Sequence, residues 1–211
     1  VFTKPQLNEL REYLKKSLWD SPESELKHKQ LFAALMLCMF TGLRRSEIPR
    51  VRKQDVDIEY EEITLLRMKG RKNKEFNRKT VAVHPVAMDF IKQLIEMIPN
   101  DQRSIFCDND NHLAGESFDE IKNMSKADCL SDRYRKALQS TKWGNACGFH
   151  KYRHSLASVL YAEGMSRDQV KDQVGWADDA MFERYKHIDI LKERSIILNA
   201  FPMNESQEIT Q

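Results

Sequence analysis

Residues 148–187 contain four side chains of the kinds that phosphoryl-transfer chemistry uses. His150 and Arg153 lie three positions apart, and Trp176 and Tyr185 follow further along. A guanidinium can bind phosphate oxygens, an imidazole can carry a proton, an indole can donate a hydrogen bond, and a phenolic hydroxyl can attack phosphorus. The set predicts a phosphoryl-transfer site, provided that the fold brings these side chains together.

Arg44 is a further cation in a position that the chain would hold firmly. It follows Gly42, the residue that ends the long apolar run before it. A guanidinium that follows a buried helix is held by a rigid element and directed outward, which suits an oxyanion clamp. The alternative is an ordinary surface arginine, and this is our interpretation for Arg45, Arg50 and Arg52.

A local basic segment contrasts with the formal net charge of only +2. Residues 67–79 carry seven basic side chains against one acid, Glu75: Arg67, Lys69, Arg71, Lys72, Lys74, Arg78 and Lys79. Such a patch suits contact with a phosphate backbone, although a solvated loop is an alternative interpretation. Strand-type runs flank it, so we predict a hairpin or small three-stranded sheet with a mobile basic loop, and Lys69 at the end of the first run.

Helical patterns dominate the rest of the chain. The segment 25–41 is apolar on nearly all sides and should form a central buried helix, while 19–25 reads as a polar loop. The other predicted helices cover residues 3–17, a short turn to 51, 84–98, 118–139 with an interruption at 128–131, 150–163, 166–174, one from 178 or 179, and 190–201. The predicted fold class is α+β, mainly helical, with a small antiparallel sheet.

Composition predicts a soluble globular chain. Of its 211 residues, 41% are hydrophobic and 31% charged, and no apolar run is long enough to cross a membrane. The four cysteines are widely spaced, which argues against a zinc cluster and suits reduced thiols in the cytoplasm. Because the sequence starts at Val1 and not Met, we expect a fragment of a longer protein with a partner domain upstream.

Four short motifs, in order, resemble the catalytic domain of tyrosine recombinases, the phage-integrase family. They are T-G-L-R-R-S-E at 41–47, H-K-Y-R at 150–153, G-W at 175–176 and R-Y-K-H at 184–187. The run K-G-R-K-N-K-E at 69–75 resembles the family's lysine-bearing hairpin. The resemblance extends from about residue 3 to about residue 198, and its strength lies in the order and spacing of the motifs.

The resemblance implies a role for each matching residue. Arg44 and Arg153 would bind the non-bridging oxygens of the scissile phosphate. Tyr185 would attack phosphorus and form a 3′-phosphotyrosyl enzyme, while Lys69 would protonate the 5′-oxygen that leaves. His150 would act as an acid–base partner or phosphate donor near the tyrosine hydroxyl.

Two more residues take supporting parts in the implied site. Trp176 stands where many relatives have histidine, and an indole cannot carry a proton, so it would support the phosphate or pack the nucleophile helix. Glu47 would support Arg44. With two arginines to neutralise the phosphate, the resemblance implies no metal, no ATP and no other cofactor.

Several alternatives stay open. Arg45 rivals Arg44, Lys72 and Lys74 rival Lys69, and Tyr134, Tyr152 and Tyr161 are weaker candidates for the nucleophile. His154 and His187 are interpreted as surface or hydrogen-bonded histidines. The competing functions are a type IB topoisomerase, which uses nearly the same chemistry, and a catalytically silent DNA-binding relative.

The resemblance also implies a domain organisation and a set of partners. Residues 1–202 would form the catalytic domain, and a helix at about 190–199 would dock on a neighbouring protomer. Residues 203–211 would be a flexible polar tail. The expected partners are double-stranded DNA recombination sites, other protomers in a tetrameric synapse, and accessory DNA-bending proteins, with no membrane involved.

Overall fold

The structure, a computed structural model, describes residues 2–69, 75–106, 128–144 and 148–176. Six α-helices and three strands appear in these ranges. The helices are α1 (Lys4–Leu14), α2 (Leu26–Thr41), α3 (Pro85–Met97), α4 (Asp128–Leu138), α5 (Phe149–Ala162) and α6 (Arg167–Val174), and the strands are β1 (Val56–Asp57), β2 (Glu62–Lys69) and β3 (Glu75–Ala82). The mainly helical α+β prediction is confirmed.

Helix α2 is the centre of the fold, as its apolar composition predicts. Its residues from Leu31 to Cys38 are at most 1% exposed. It ends at Gly42, whose φ of 66° is left-handed and whose N–H bonds to the carbonyl of Cys38. A Cβ at Gly42 would lie 3.0 Å from Cγ1 of Val174, so this glycine allows both the turn and the close approach of α6.

The polar loop predicted for residues 19–25 begins too early. Helix α1 continues directly into a π-helical turn, Lys15–Trp19, and Trp19 is 8% exposed. The indole packs at 5.7 Å from the ring of Phe32 and 4.8 Å from that of Phe90, measured between centroids. Burial of this large apolar ring outweighs the polar residues that follow it.

The three strands form one antiparallel sheet in the order β1-β2-β3. Ile63 pairs with Val81 on the buried face, and the hydroxyls of Thr64 and Thr80 meet at 3.1 Å on the other face. Much of the segment predicted as a loop is strand, because pairing continues to Lys69 and Glu75. Charged side chains suit such a hairpin, since they discourage edge pairing with other chains.

The C-terminal helices show the predicted caps. Ser166 caps α6 through a capping box with Gln169, and Gly175 ends it in a left-handed conformation with φ 69°. The predicted interruption at 128–131 is wrong, since these residues are helical within α4. The predicted helical residues 118–127 and the helices after 177 lie outside the described residues. Within the described ranges, no helix has the length and apolarity of a membrane span.

Candidate active site

Arg153 joins the C-terminal ends of two helices. The residue is 2% exposed, and its Nη1 donates to the carbonyl of Gly42 at 2.7 Å. Its Nη2 donates to the carbonyl of Gly175 at 3.0 Å. The last carbonyls of a helix lack intrahelical partners and carry a partial negative charge, so α2 and α6 both favour a guanidinium at this point.

Arg44 reaches the same carbonyl. Its Nη2 donates to the Gly175 oxygen at 2.9 Å, so one acceptor binds the guanidiniums of Arg44 and Arg153. A carbonyl oxygen has two lone pairs and can accept both bonds. We call these two guanidiniums with the carbonyls of Gly42 and Gly175 the arginine platform. Two like charges held this close create a local field that favours an anionic ligand.

Glu47 fixes the orientation of Arg44. Its carboxylate accepts the Arg44 backbone N–H at 2.7 Å and Nη1 at 3.1 Å. The Glu47 side chain is 4% exposed, whereas that of Arg44 is 42% exposed. The buried carboxylate of Glu47 therefore fixes the position of Arg44, while part of the Arg44 side chain stays accessible to solvent.

Arg45 has a different environment. It is exposed, and its Nη1 donates to the hydroxyl of Ser131 on α4 at 3.1 Å. The geometry therefore distinguishes the two adjacent arginines: Arg44 is built into the helix ends, and Arg45 lies at the surface, as predicted.

A cleft of about 240 Å³ opens beside these arginines. It lies between the turn that follows α2, the helix α4 and the start of α5. Its lining residues are Leu43, Arg44, Arg45, Ser131, Gly148, Phe149 and His150. The lining includes the guanidinium of Arg44 and the imidazole of His150, whereas Arg153 lies beneath the cleft surface and does not line it. A guanidinium can bind a phosphate, and an imidazole can move a proton beside it.

A row of three rings connects this cleft with the end of α6. The ring centroids of His150 and His154 are 5.0 Å apart, and those of His154 and Trp176 are 5.6 Å apart. His150 is exposed, whereas His154 and Trp176 are half-buried. His154 therefore contributes to the packing between His150 and Trp176, beyond the surface role predicted for it.

The tyrosines that rival Tyr185 lie elsewhere. The hydroxyls of Tyr134 and Tyr152 hydrogen-bond to each other in the core, where the residues are 1% and 0% exposed. Tyr161 is 6% exposed and bonds to Arg167. None of these three lines the cleft. The chain has six tyrosines, and the other two described ones, Tyr13 and Tyr60, are also absent from the cleft lining.

The basic segment is described in part. Lys69 is the last residue of β2, so the backbone position agrees with the prediction. Arg78 is exposed on β3, whereas Lys79 donates to the carboxylate of Asp172 on α6. The remaining predictions concern residues or side chains that the structure does not describe. They are the predictions for Arg67, Arg71, Lys72, Lys74, His187, Tyr185 and the ammonium of Lys69.

Burial changes the pKa values of two ionisable groups near Glu47, Cys38 and Arg50. Burial raises the pKa of the Cys38 thiol well above its ordinary value, Glu47 raises it further, and Arg153 opposes them. Burial lowers the pKa of Arg50, an effect that Glu47 opposes. The surface interpretation of Arg50 and Arg52 is wrong, since both are half-buried.

Two parts of the arrangement were not predicted from sequence: the shared carbonyl of Gly175 and the hydroxyl of Ser131. A glycine directly after a helix signals exposed carbonyls at that helix end. It does not indicate which distant side chain will bind them. In the described part of the chain, no group of three or more His, Cys, Asp or Glu side chains is placed to hold a metal ion.

The chain belongs to the phage integrase family, whose model matches residues 1–191. Among curated proteins it is similar to the tyrosine recombinase XerC of Staphylococcus aureus, with 24% identity over 176 residues. That match covers 83% of this chain and 55% of the relative, so the chain spans about half the length of the curated relatives it matches.

Solved structures of recombinases share the fold. XerA recombinase superposes with a TM-score of 0.63 at 14% identity, over 96% of this chain and 65% of XerA. XerH, bound to palindromic difH substrate in a post-cleavage complex, gives 0.62 at 18% identity, over 93% of this chain and 52% of XerH. The integrase of transposon Tn1549, in complex with circular intermediate DNA, gives 0.58 at 15% identity, over 93% of this chain and 64% of that protein.

Proposed function

We propose that this chain is the catalytic domain of a tyrosine site-specific recombinase that cuts and rejoins DNA strands in the bacterial cytoplasm. One observation carries the proposal. The guanidiniums of Arg44 and Arg153 bond to the same Gly175 carbonyl, and Arg44 lines a cleft together with His150. Two fixed guanidiniums that share one anchor suit the two non-bridging oxygens of one phosphate.

In the proposed reaction, the Tyr185 oxygen attacks phosphorus while the bond from phosphorus to the 5′-oxygen breaks. Lys69 donates the proton that the 5′-oxygen needs, and His150 accepts the proton of the tyrosine hydroxyl. The product is a 3′-phosphotyrosyl enzyme with a free 5′-hydroxyl. Rejoining reverses the steps, and because the covalent bond retains the energy of the phosphodiester, neither ATP nor a metal ion is required.

Tyr185 is supported as the nucleophile by exclusion as well as by motif. The five described tyrosines are absent from the lining of the cleft, and two of them are bonded to each other in the core. Trp176 directly follows the end of α6, and in the proposed site it would support the phosphate or pack the helix that would carry Tyr185.

The DNA partner is a double-stranded recombination site bound along the basic hairpin, which we define as β2, β3 and their connection. Its proposed phosphate contacts are Arg67, Arg71, Lys72, Lys74 and Arg78. Since XerH binds difH and lambda integrase forms a tetramer on a Holliday junction, we propose a tetrameric synapse for this protein too. Upstream DNA-binding domains and accessory DNA-bending proteins would complete it.

Covalent capture tests the reaction. The full-length protein is incubated with nicked duplexes whose central segment is randomised. The reaction is stopped by denaturing the protein, and the DNA that stays attached to it is sequenced. We expect a 3′-linked adduct at a defined sequence, and Tyr185→Phe should bind the selected duplex without forming the adduct. An adduct in Tyr185→Phe would contradict the assignment. Relaxation of supercoiled plasmid without a specific site would favour the topoisomerase alternative.

Exchange of a C-terminal helix between protomers is a separate proposal. The segment 190–199 is expected to be amphipathic and would dock on a neighbouring subunit, which would couple cleavage to assembly. Truncation after Asp189 should then abolish tetramer formation on the selected DNA, measured by light scattering. Unchanged synapsis and cleavage would show that the segment stays on its own domain.

A further inference from the structure

Lys79 bonds to α6 within the helical turn that ends in Gly175. Its Nζ donates to both the backbone carbonyl and Oδ1 of Asp172, each at 2.5 Å. The Lys79 side chain is 25% exposed, although it belongs to a strongly basic hairpin. An ammonium with both acceptors on one residue makes a local clamp between β3 and α6.

The clamp is adjacent to the arginine platform. Gly175 donates its N–H to the carbonyls of Lys171 and Asp172, at 2.7 and 3.2 Å. The carbonyl of the same Gly175 binds Arg44 and Arg153. One helical turn thus connects the hairpin on one side with both guanidiniums on the other.

The strand register relates the clamp to Lys69. Lys79 pairs with Leu65, which lies four positions before Lys69 on β2. Directly paired residues share a sheet face, and positions two or four apart on a strand share it too. Position 69 therefore belongs to the face that includes position 79 and the buried pair Ile63 and Val81.

We propose that Lys79 and Asp172 are positioning residues that hold the basic hairpin in register with the arginine platform. Their bond holds the sheet face that includes position 69 against α6, the helix that ends in the Gly175 carbonyl. The inference rests on the proposed function, in which Lys69 protonates the leaving oxygen. It also assigns Lys79 a part different from the phosphate contact that its place in the basic run predicts.

The leaving group gives a specific readout for this role. A 5′-oxygen needs a proton when its bond to phosphorus breaks. A 5′-sulfur leaves as a stable thiolate, because the pKa of a thiol is only about 8.5. A defect in positioning the proton donor should therefore slow cleavage of the oxygen substrate and disappear with the sulfur substrate. A defect in the phosphate-binding arginines should slow both.

The experiment compares single-turnover cleavage by the full-length protein on the duplex found by covalent capture, made with either 5′-oxygen or 5′-bridging sulfur. The test variant is Asp172→Asn. The matched control is Asp168→Asn, which removes the same charge from the same helix and also loses one lysine pair, to Lys171. Circular dichroism and thermal melting verify that each variant is folded.

Asp172→Asn should cleave the oxygen substrate roughly tenfold to a hundredfold more slowly, a range typical of misplaced catalytic groups. It should cleave the sulfur substrate at the wild-type rate, and Asp168→Asn should match wild type on both. Lys79→Asp combined with Asp172→Lys should recover only part of the lost rate, because the reversed pair restores the ion pair but not the bond to the backbone carbonyl of residue 172. Hydrogen exchange should show weaker protection of the β2 and β3 amides in Asp172→Asn alone.

Equal slowing of both substrates by Asp172→Asn would overturn the positioning role, as would an unchanged rate on the oxygen substrate. If Asp172→Asn does not fold, the reversed pair decides: selective slowing on oxygen in that folded variant supports the clamp, and equal slowing on both substrates contradicts it. Absence of any adduct with the wild-type protein would instead contradict the proposed function. The two failures are therefore distinguishable.

Discussion

The arginine platform and the basic hairpin hold positive charge in opposite ways. Arg153 in the platform is 2% exposed and bonded to two helix ends. Arg78 in the hairpin is exposed on a strand. The platform combines Arg153 on α5 with residues that follow the ends of α2 and α6, whereas the hairpin is one local stretch of chain. A site that must stabilise a transition state needs fixed charge, and a surface that follows DNA needs reach.

Burial explains why the guanidiniums of the arginine platform need hydrogen-bond acceptors and opposite charge from the protein. A charge removed from water costs several kcal/mol unless hydrogen bonds and opposite charge replace its hydration. The carbonyls of Gly42 and Gly175 supply acceptors for Arg153, and Glu47 supplies the opposite charge for Arg44. Arg78, which is exposed on β3, keeps more of its hydration than the buried Arg153.

Replacement of Arg153 should have the largest effect on this comparison. Arg153→Ala leaves the Gly42 and Gly175 carbonyls without their donors, which should cost roughly 2–5 kcal/mol of unfolding free energy. Arg153→Lys keeps the charge but cannot span both carbonyls, and should also abolish adduct formation. Urea unfolding and covalent capture measure the two effects. A stable, active Arg153→Lys would show that the two-carbonyl geometry is not needed.

Arg44→Ala and Arg45→Ala test whether the arginine that bonds to the Gly175 carbonyl matters more for cleavage than its neighbour in sequence. Arg44→Ala should lower the cleavage rate by about 10²–10³-fold, the usual effect of removing one transition-state donor. Arg45→Ala, which loses the bond to Ser131, should change it by less than about tenfold. Single-turnover cleavage measures both rates. A larger effect at Arg45 would reverse the assignment.

Gly42→Ala should destabilise the fold without removing any charge. The left-handed backbone costs an alanine about 1–2 kcal/mol, and its Cβ would crowd Val174 at 3.0 Å. The control is the same change in a Val174→Ala background, which keeps the left-handed backbone strain and removes the side chain that the added Cβ would crowd. Thermal melting should show a smaller loss from Gly42→Ala in that background than in the wild type. Equal losses would mean that crowding by Val174 contributes nothing.

Arg78→Ala should weaken DNA binding to a similar extent for all DNA sequences and should leave the chemical step unchanged. Removal of one phosphate contact should lower the dependence of log affinity on log salt by about 0.9 and leave adduct chemistry on saturated DNA unchanged. Lys15→Ala is the control, because Lys15 lies outside the basic hairpin and pairs with Asp20. Titration of DNA at several salt concentrations measures the slope. An unchanged slope would remove Arg78 from the DNA-binding surface.

The reactivity of the buried Cys38 thiol tests the burial around the arginine platform, and its effect on stability is the smallest expected here. Burial raises the pKa of its thiol, so the folded protein should keep it protonated at pH values where unfolded chains, with a thiol pKa of about 8.5, begin to ionise. Stability linked to this thiol is therefore present below that pH and decreases above it. Alkylation at pH 8.5, followed by peptide mass spectrometry, should be slow when folded and fast in urea. Rapid labelling of the folded protein would contradict this burial.

Local signals predicted much of the fold correctly. Thr3, Gly42, His84, Ser166 and Gly175 begin or end helices as their chemistry predicts. The failures came where tertiary packing outweighs local preference, as in the burial of Trp19 beyond the end of α1. Pairing also extended β2 and β3 into the basic segment, since each strand supplies hydrogen-bond partners that a single-strand pattern does not show.

The sequence alone determined the chemical inventory of the candidate site and the elements that carry it: Arg44 after a buried helix, Lys69 at the end of a strand run, and His150 and Arg153 on one helix. The tertiary structure decided how Arg44 and Arg153 meet and which turn joins them to the hairpin. Those contacts depend on the Gly175 carbonyl and on Asp172. A helix signals that its end has unbonded carbonyls, but only packing determines which distant side chains bind them.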